Sequence, residues 1–218
     1  MLMSHFATLV LIPPSTPPDA IDSAVAALLE PFDENSEVEA YPTNCYCKGS
    51  LAQRAGRVAA DQEIGPLHDL RERYWALPKA DRPEWEDYIA PYQTVADRVE
   101  QAHPLYQRPN PACDECHGTG SRLTTYNPDS RWDWWVIGGR WDGWLHPTNV
   151  VPVSDLLPVL ENIPFAIVTP DGAWHQQGRM GLWGMASDET PEEEWADTVQ
   201  TLLRAHPGAL AVTCDLHI

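Results

Sequence analysis

Apolar positions change their period several times along the chain. Ser4 to Ile12 is a nearly unbroken apolar run that stops at Pro13-Pro14, the pattern of a buried strand. From Pro18 to Glu30 the spacing turns helical. Ile21, Val25, Leu28 and Leu29 make one stripe, Pro18 suits the first turn and Pro31 ends the segment. Residues 33 to 44 are polar and acidic and read as a connection. Leu51 to Asp61, Leu67 to Leu77 and Arg82 to Gln101 read as helices. In the third, Trp85, Tyr88, Ile89, Tyr92, Val95 and Val99 share one side, and Pro91 predicts a kink or a division.

Shorter periods follow. Two short strands are predicted around a turn at Gly138-Gly139, and a short helix over Ser154 to Glu161. Phe165 to Val168 and Ala173 to Gln177 read as a hairpin about Pro170-Asp171-Gly172. Thr190, Pro191 and Glu193 predict a capped helix start, with Trp195, Val199, Leu202 and Leu203 as its buried face. In the last strand Leu210, Val212, Cys214, Leu216 and Ile218 face one side. Ala211, Thr213, Asp215 and His217 face the other. This order predicts an α+β fold: a mainly antiparallel sheet with helices on one face. Residues 1–44 and 121–218 would form the core domain, and residues 45–120 a helical insertion.

Composition narrows the partners. The 218 residues are 43% hydrophobic, enough for one substantial core or a core with a small satellite. Lys+Arg number 14 against 32 Asp+Glu, a formal net charge of −18, which repels nucleic acid and anionic membrane. A cation, a basic protein partner or a shielded small ligand fits better. No apolar run is long enough to span a bilayer, and no basic stretch leads into an apolar segment at the start. The expected location is the cytoplasm, of the host cell if the chain is phage-encoded. Reduced thiols are the rule there, which favours metal over disulfides.

The cysteines then carry the strongest chemical signal. Cys45 and Cys47 sit in Asn44-Cys-Tyr-Cys-Lys-Gly49, and Cys113 and Cys116 in Cys113-Asp-Glu-Cys-His-Gly-Thr-Gly120. Two short cysteine hooks far apart in sequence suit a tetrahedral structural zinc, and the nearby glycines let backbone N–H groups turn toward the sulfurs. Such an ion would pin the two ends of the insertion together. The Cys-x-x-Cys-x-Gly-x-Gly run of Cys113 to Gly120 resembles one zinc-binding repeat of the DnaJ cysteine-rich region, with a weaker echo at Cys45 to Ser50. That resemblance implies the local zinc geometry and not chaperone function. His117 could replace one cysteine as a ligand, but its expected place is just outside the site. Cys214, on an apolar strand face, reads as a small buried hydrophobe.

A broader resemblance spans start, middle and end. Met3-Ser-His-Phe6, Tyr126-Asn-Pro128 followed by Trp132-Asp-Trp134, Gly138-Gly-Arg-Trp141 and Asp215-Leu-His-Ile218 resemble a family of small proteins from phages and actinobacteria. The resemblance implies a phage-related accessory role and brings no established activity with it.

Two further constellations are candidates. If the terminal strands pair, His5, Asp215 and His217 share a face and can bind a metal or act as acid and base. Arg140 lies amid Trp132, Trp134, Trp135, Trp141 and Trp144, with Asp133 and Asp142 able to orient it or to read a ligand N–H. Guanidinium and indole together suit an anion carrying a flat ring, such as a nucleotide. The competing interpretation makes the tryptophans core and pairs Arg140 with an aspartate. No Walker loop, Gly-x-Ser-x-Gly elbow, His-Glu-x-x-His or kinase signature is present. Three functions remain: a binder of a small anionic ligand such as a nucleotide signal, a metal-dependent phosphoester hydrolase, and an acidic nucleic-acid mimic that blocks a DNA-binding protein.

Overall fold

The computed structural model describes residues 5–181 and 185–218. Ser4 of the first expected strand, like Met3 of the opening motif, lies outside them. The elements in chain order are β1 (His5–Ile12), α1 (Ile21–Leu29), β2 (Glu37–Asn44), α2 (Ser50–Glu63), α3 (Leu67–Ala76), α4 (Trp85–Ala102), β3 (Ser121–Tyr126) and β4 (Trp134–Ile137). Then come β5 (Val150–Pro152), α5 (Val153–Leu156), β6 (Ala166–Val168), β7 (Trp174–Gln176), β8 (Arg179–Met180), β9 (Ala186–Ser187), α6 (Glu192–Ala205) and β10 (Leu210–His217). The chain divides into two compact units, Met1–Glu39 with Thr125–Ile218, and Ala40–Thr124. It passes from one to the other within β2 and β3, and those two strands pair.

The first unit is an α+β fold. Its sheet runs β4-β10-β1-β6-β7, with β5 also paired to β10. All pairings are antiparallel except β1 with β6, so the sheet is mixed but mainly antiparallel. The two terminal strands lie at its centre, which explains the unbroken apolar run of β1: Phe6 to Ile12 are all buried. Phe6, Val10 and Ile12 pack with Val212, Cys214 and Leu216 under Val25 and Leu29 of α1. Leu9, Leu11 and Ala211 pack on the other face under Leu156 of α5 and Trp195, Val199 and Leu203 of α6. Helices therefore cover both faces, where the sequence pattern led us to expect one. The centre of the sheet is apolar on both sides, and each side needs a cover.

Other local expectations shift for physical reasons. Gly138-Gly139 does not turn a hairpin: β4 pairs with β10, and the chain after it enters a short 3₁₀ turn over Gly139–Trp141. The polar stretch before the first cysteine hook contains β2, whose residues are exposed or half-buried and are held by pairing with β3 rather than by burial. α6 begins at Glu192 without a side-chain cap, so Thr190 and Glu193 form no capping box. Three glutamates in its first turn face the positive end of the helix instead. The hairpin about Pro170-Asp171-Gly172 forms as expected from β6 and β7.

In the second unit α4 runs unbroken through Pro91. Ala52, Gly56 and Ala60 are buried at four-residue spacing on α2. A Cβ at Gly56 would come within 2.5 Å of the Ala96 carbonyl oxygen, so the α2–α4 contact depends on its absence. Ala60, Leu70, Tyr92, Val95 and Ala96 make this unit's small core.

Candidate functional site

In the first unit the chemistry collects at one end of the central strands. β1 and β10 run antiparallel with His5 opposite His217 and Ala7 opposite Asp215. Opposed residues share a face, so both imidazoles and the Asp215 carboxylate project the same way. The imidazole centroids are 5.1 Å apart. Each ring is held by a different aspartate: His5 Nδ1 is 2.8 Å from Asp215 Oδ1, and His217 Nδ1 is 2.5 Å from Asp133 Oδ1. With ionised carboxylates, Nδ1–H donates in both pairs and Nε2 is the nitrogen left for other work.

Burial grades the site. Asp215 is buried, and the His5 side chain is 8% exposed against 17% for His217 and 37% for Asp133. His5 Nε2 is buried and has no hydrogen-bond partner among the described residues. The second Asp215 oxygen accepts the Arg140 backbone N–H at 3.0 Å. Gly139 makes that approach possible. Its φ of +58° suits glycine, and a Cβ there would stand 2.5 Å from Asp215 Cβ.

The Arg140 segment is arranged differently from the expected slot. Trp132 is buried in the core beneath α1 and donates its indole N–H to the Leu29 carbonyl at 3.0 Å. Trp135 packs on that same core. Trp134, opposite His217, lies on the histidine face, 49% exposed and edge-on to His5 at 6.1 Å. Trp141 packs against Trp144, which borders the other core. Alternation within β4 sends Trp134 and Trp135 to opposite faces, while Trp132 precedes that strand and Trp141 and Trp144 follow it. Arg140 is exposed and forms no ion pair with Asp133 or Asp142. Asp133 holds His217, while Asp142 accepts the Asn149 side-chain N–H at 2.6 Å. The Asp133–His217 pair escaped the sequence reading, which gave Asp133 to Arg140 or to a ligand N–H. No local pattern carried this pair: it follows from the approach of this segment to β10, where the Asp133 N–H donates to the His217 carbonyl at 2.9 Å.

In the second unit Cys45, Cys47, Cys113 and Cys116 converge. Their sulfurs all lie within 4.8 Å of one another and could hold a metal ion, and none is in a disulfide. Cys45 Sγ is 3.7 Å from Cys113 Sγ, and Cys47 Sγ is 3.4 Å from Cys116 Sγ. The Gly120 N–H donates to Cys116 Sγ at 3.3 Å, and the Gly49 N–H goes to the Arg108 carbonyl. A backbone hydrogen bond from Cys47 favours the Cys45 thiolate, but burial and the neighbouring thiols outweigh it and push this thiol up to about 12. Burial acts on Cys116 in the same sense, yet hydrogen bonds from Gly120, Cys47 and Gly118 prevail and bring it down to about 6. His117 is not one of the clustered ligands. Among the described residues no other group of three or more His, Cys, Asp or Glu clusters this closely. Cys214 is buried in the first unit's core, where burial raises its thiol.

No described helix is long and apolar enough to cross a membrane. Comparison of the chain with family models, curated proteins and solved structures found no match.

Proposed function

We propose that the first unit is an acid–base hydrolase of a small phosphoester carrying a flat ring, a nucleotide-like substrate. The observation that carries this reading is the pair of aspartate-anchored imidazoles, 5.1 Å apart on adjacent central strands. An imidazole whose Nδ1–H is fixed by a carboxylate presents Nε2 in a defined direction, as general acid–base catalysis requires. His5 Nε2 would accept the proton of an attacking water. As the water oxygen bonds to phosphorus, protonated His217 would give its proton to the departing ester oxygen. The exposed Arg140 guanidinium would pair with the phosphate, and the exposed Trp134 face would stack on the ring. Binding and turnover of a nucleotide-like anion thereby become one function. The accessory role implied by resemblance to phage proteins is compatible with it. The same anchored imidazoles are suited to hold a divalent ion through Nε2, so turnover should be measured with chelator and with added metal.

In the second unit the four cysteines would bind zinc in a structural role. Thiolates about 2.3 Å from a tetrahedral zinc stand roughly 3.8 Å from each other. The close sulfur pairs, at 3.7 and 3.4 Å, are near that spacing. Metal analysis of purified protein, with hydrolysis assays on wild type and His5→Gln, tests both parts.

A further inference from the structure

The reverse face of the same strand ends carries a cavity of about 320 Å³. Phe6 and Ile218, which line it, neighbour His5 and His217 in the chain but belong to the core under α1. The cavity is thus separated from the histidine pair by the sheet itself. Its apolar wall is Phe6, Pro128, Met180 and Ile218. Its charged side chains are Arg131 and Arg179, with no acidic side chain among the described lining residues. In a chain with 32 acidic residues against 14 basic ones, two arginines lining one concavity with no acidic side chain among its described lining residues are a departure from the composition as a whole. Neither arginine forms an ion pair among the described residues.

The donors are incompletely used. Arg131 spends one terminal N–H on the Ser130 carbonyl at 2.8 Å, and its Nε–H is buried with no partner among the described residues. The Gln176 side-chain oxygen accepts the Trp174 indole N–H at 2.6 Å, which leaves its amide N–H groups as donors beside the cavity. A guanidinium pair with a free amide recognises a carboxylate or phosphate oxygen. The apolar wall asks for a hydrocarbon part on the same molecule, and the volume is that of a small-ligand pocket.

We infer that this cavity is a second binding site, for a small amphipathic anion: a phosphate or carboxylate attached to an apolar group. It stands apart from the proposed hydrolytic site, and its existence does not depend on that activity. The test is a titration of full-length protein, followed by amide chemical shifts, with phenyl phosphate, benzoate, inorganic phosphate and uncharged phenol as separate probes. Saturable shifts at Arg131, Arg179, Met180 and Ile218 are expected for phenyl phosphate, for benzoate or for both, weaker ones for inorganic phosphate and none for phenol. Which aromatic anion binds more tightly separates the phosphate source from the carboxylate source. Arg179→Gln should weaken that binding by about tenfold. Arg179 is exposed, so this variant should fold, and His5→Gln should bind as wild type does. Absence of saturation by both aromatic anions at millimolar concentration overturns the proposal. So do shifts confined to the Arg140 face, equal response to phenol, or unchanged affinity in Arg179→Gln.

Discussion

His5 and His217 face each other across the two central antiparallel strands, and each is tied through Nδ1 to its own aspartate. The rings are not equivalent. His5 and Asp215 are buried, whereas His217 and Asp133 are more open. A strand register thus brings together residues more than two hundred positions apart in the chain.

Asp215 should matter to stability as well as to the site. Asp215→Ala leaves the His5 ring and the Arg140 N–H without their acceptor in a buried place, at an expected cost of about 3 kcal/mol. Asp215→Asn keeps one acceptor oxygen and should lose less. Urea denaturation of both variants checks the order.

Gly139→Ala should destabilise by about 1–3 kcal/mol, because the residue sits at positive φ against Asp215. Its effect should not add fully to that of Asp215→Ala, since both disturb one contact. A double-mutant cycle measures the shortfall.

The tryptophans should separate by face. Trp132→Ala removes a buried indole and its hydrogen bond to Leu29, with an expected loss of about 3–5 kcal/mol. Trp134→Ala should change stability by only about 0.5 kcal/mol and should raise KM for a ring-bearing substrate. Thermal melts and steady-state kinetics together distinguish the two.

These contrasts show where the sequence was legible. Burial of both faces makes β1 an unbroken apolar run, and alternation in β10 correctly paired His217 with Asp215 on one face. Local pattern could not reveal that β4 pairs with β10, because Gly138-Gly139 carries the same turn signal whether a hairpin or a 3₁₀ turn follows. Nor could it show β2, whose acidic, proline-containing run is held by its partner strand. Composition drew the tryptophans into one slot, whereas alternation in β4 sends Trp134 and Trp135 to opposite faces and the other three lie outside that strand. The cysteine hooks were legible because the spacing itself encodes their convergence.

The Thr169–Gly172 turn offers a pH readout. The Thr169 hydroxyl donates to Asp171 and holds this carboxyl below the usual aspartate range. A lowered folded value means the contact contributes above the unfolded value and is lost as pH falls through the folded one. Carboxyl carbon shifts should titrate Asp171 below the usual aspartate range, and Thr169→Val should return it toward that range.

Metal removal should act on the second unit. Purified protein is expected to carry about one zinc per chain. Stripping it, or Cys113→Ser, should lower the thermal midpoint and loosen amide protection in α2 and α4. Binding should release protons and weaken in acid, because Cys45 and Cys47 are both held above the ordinary thiol range and must ionise.

The most direct test of the central claim is the pH–rate profile for hydrolysis of nucleotide-like phosphodiesters and monoesters by wild type, His5→Gln and His217→Gln, each with chelator and with added divalent metal. The paired imidazoles predict a bell-shaped profile for at least one substrate and a loss of about a hundredfold or more in each variant. Absence of turnover under every condition, or activity that survives both substitutions, would contradict it.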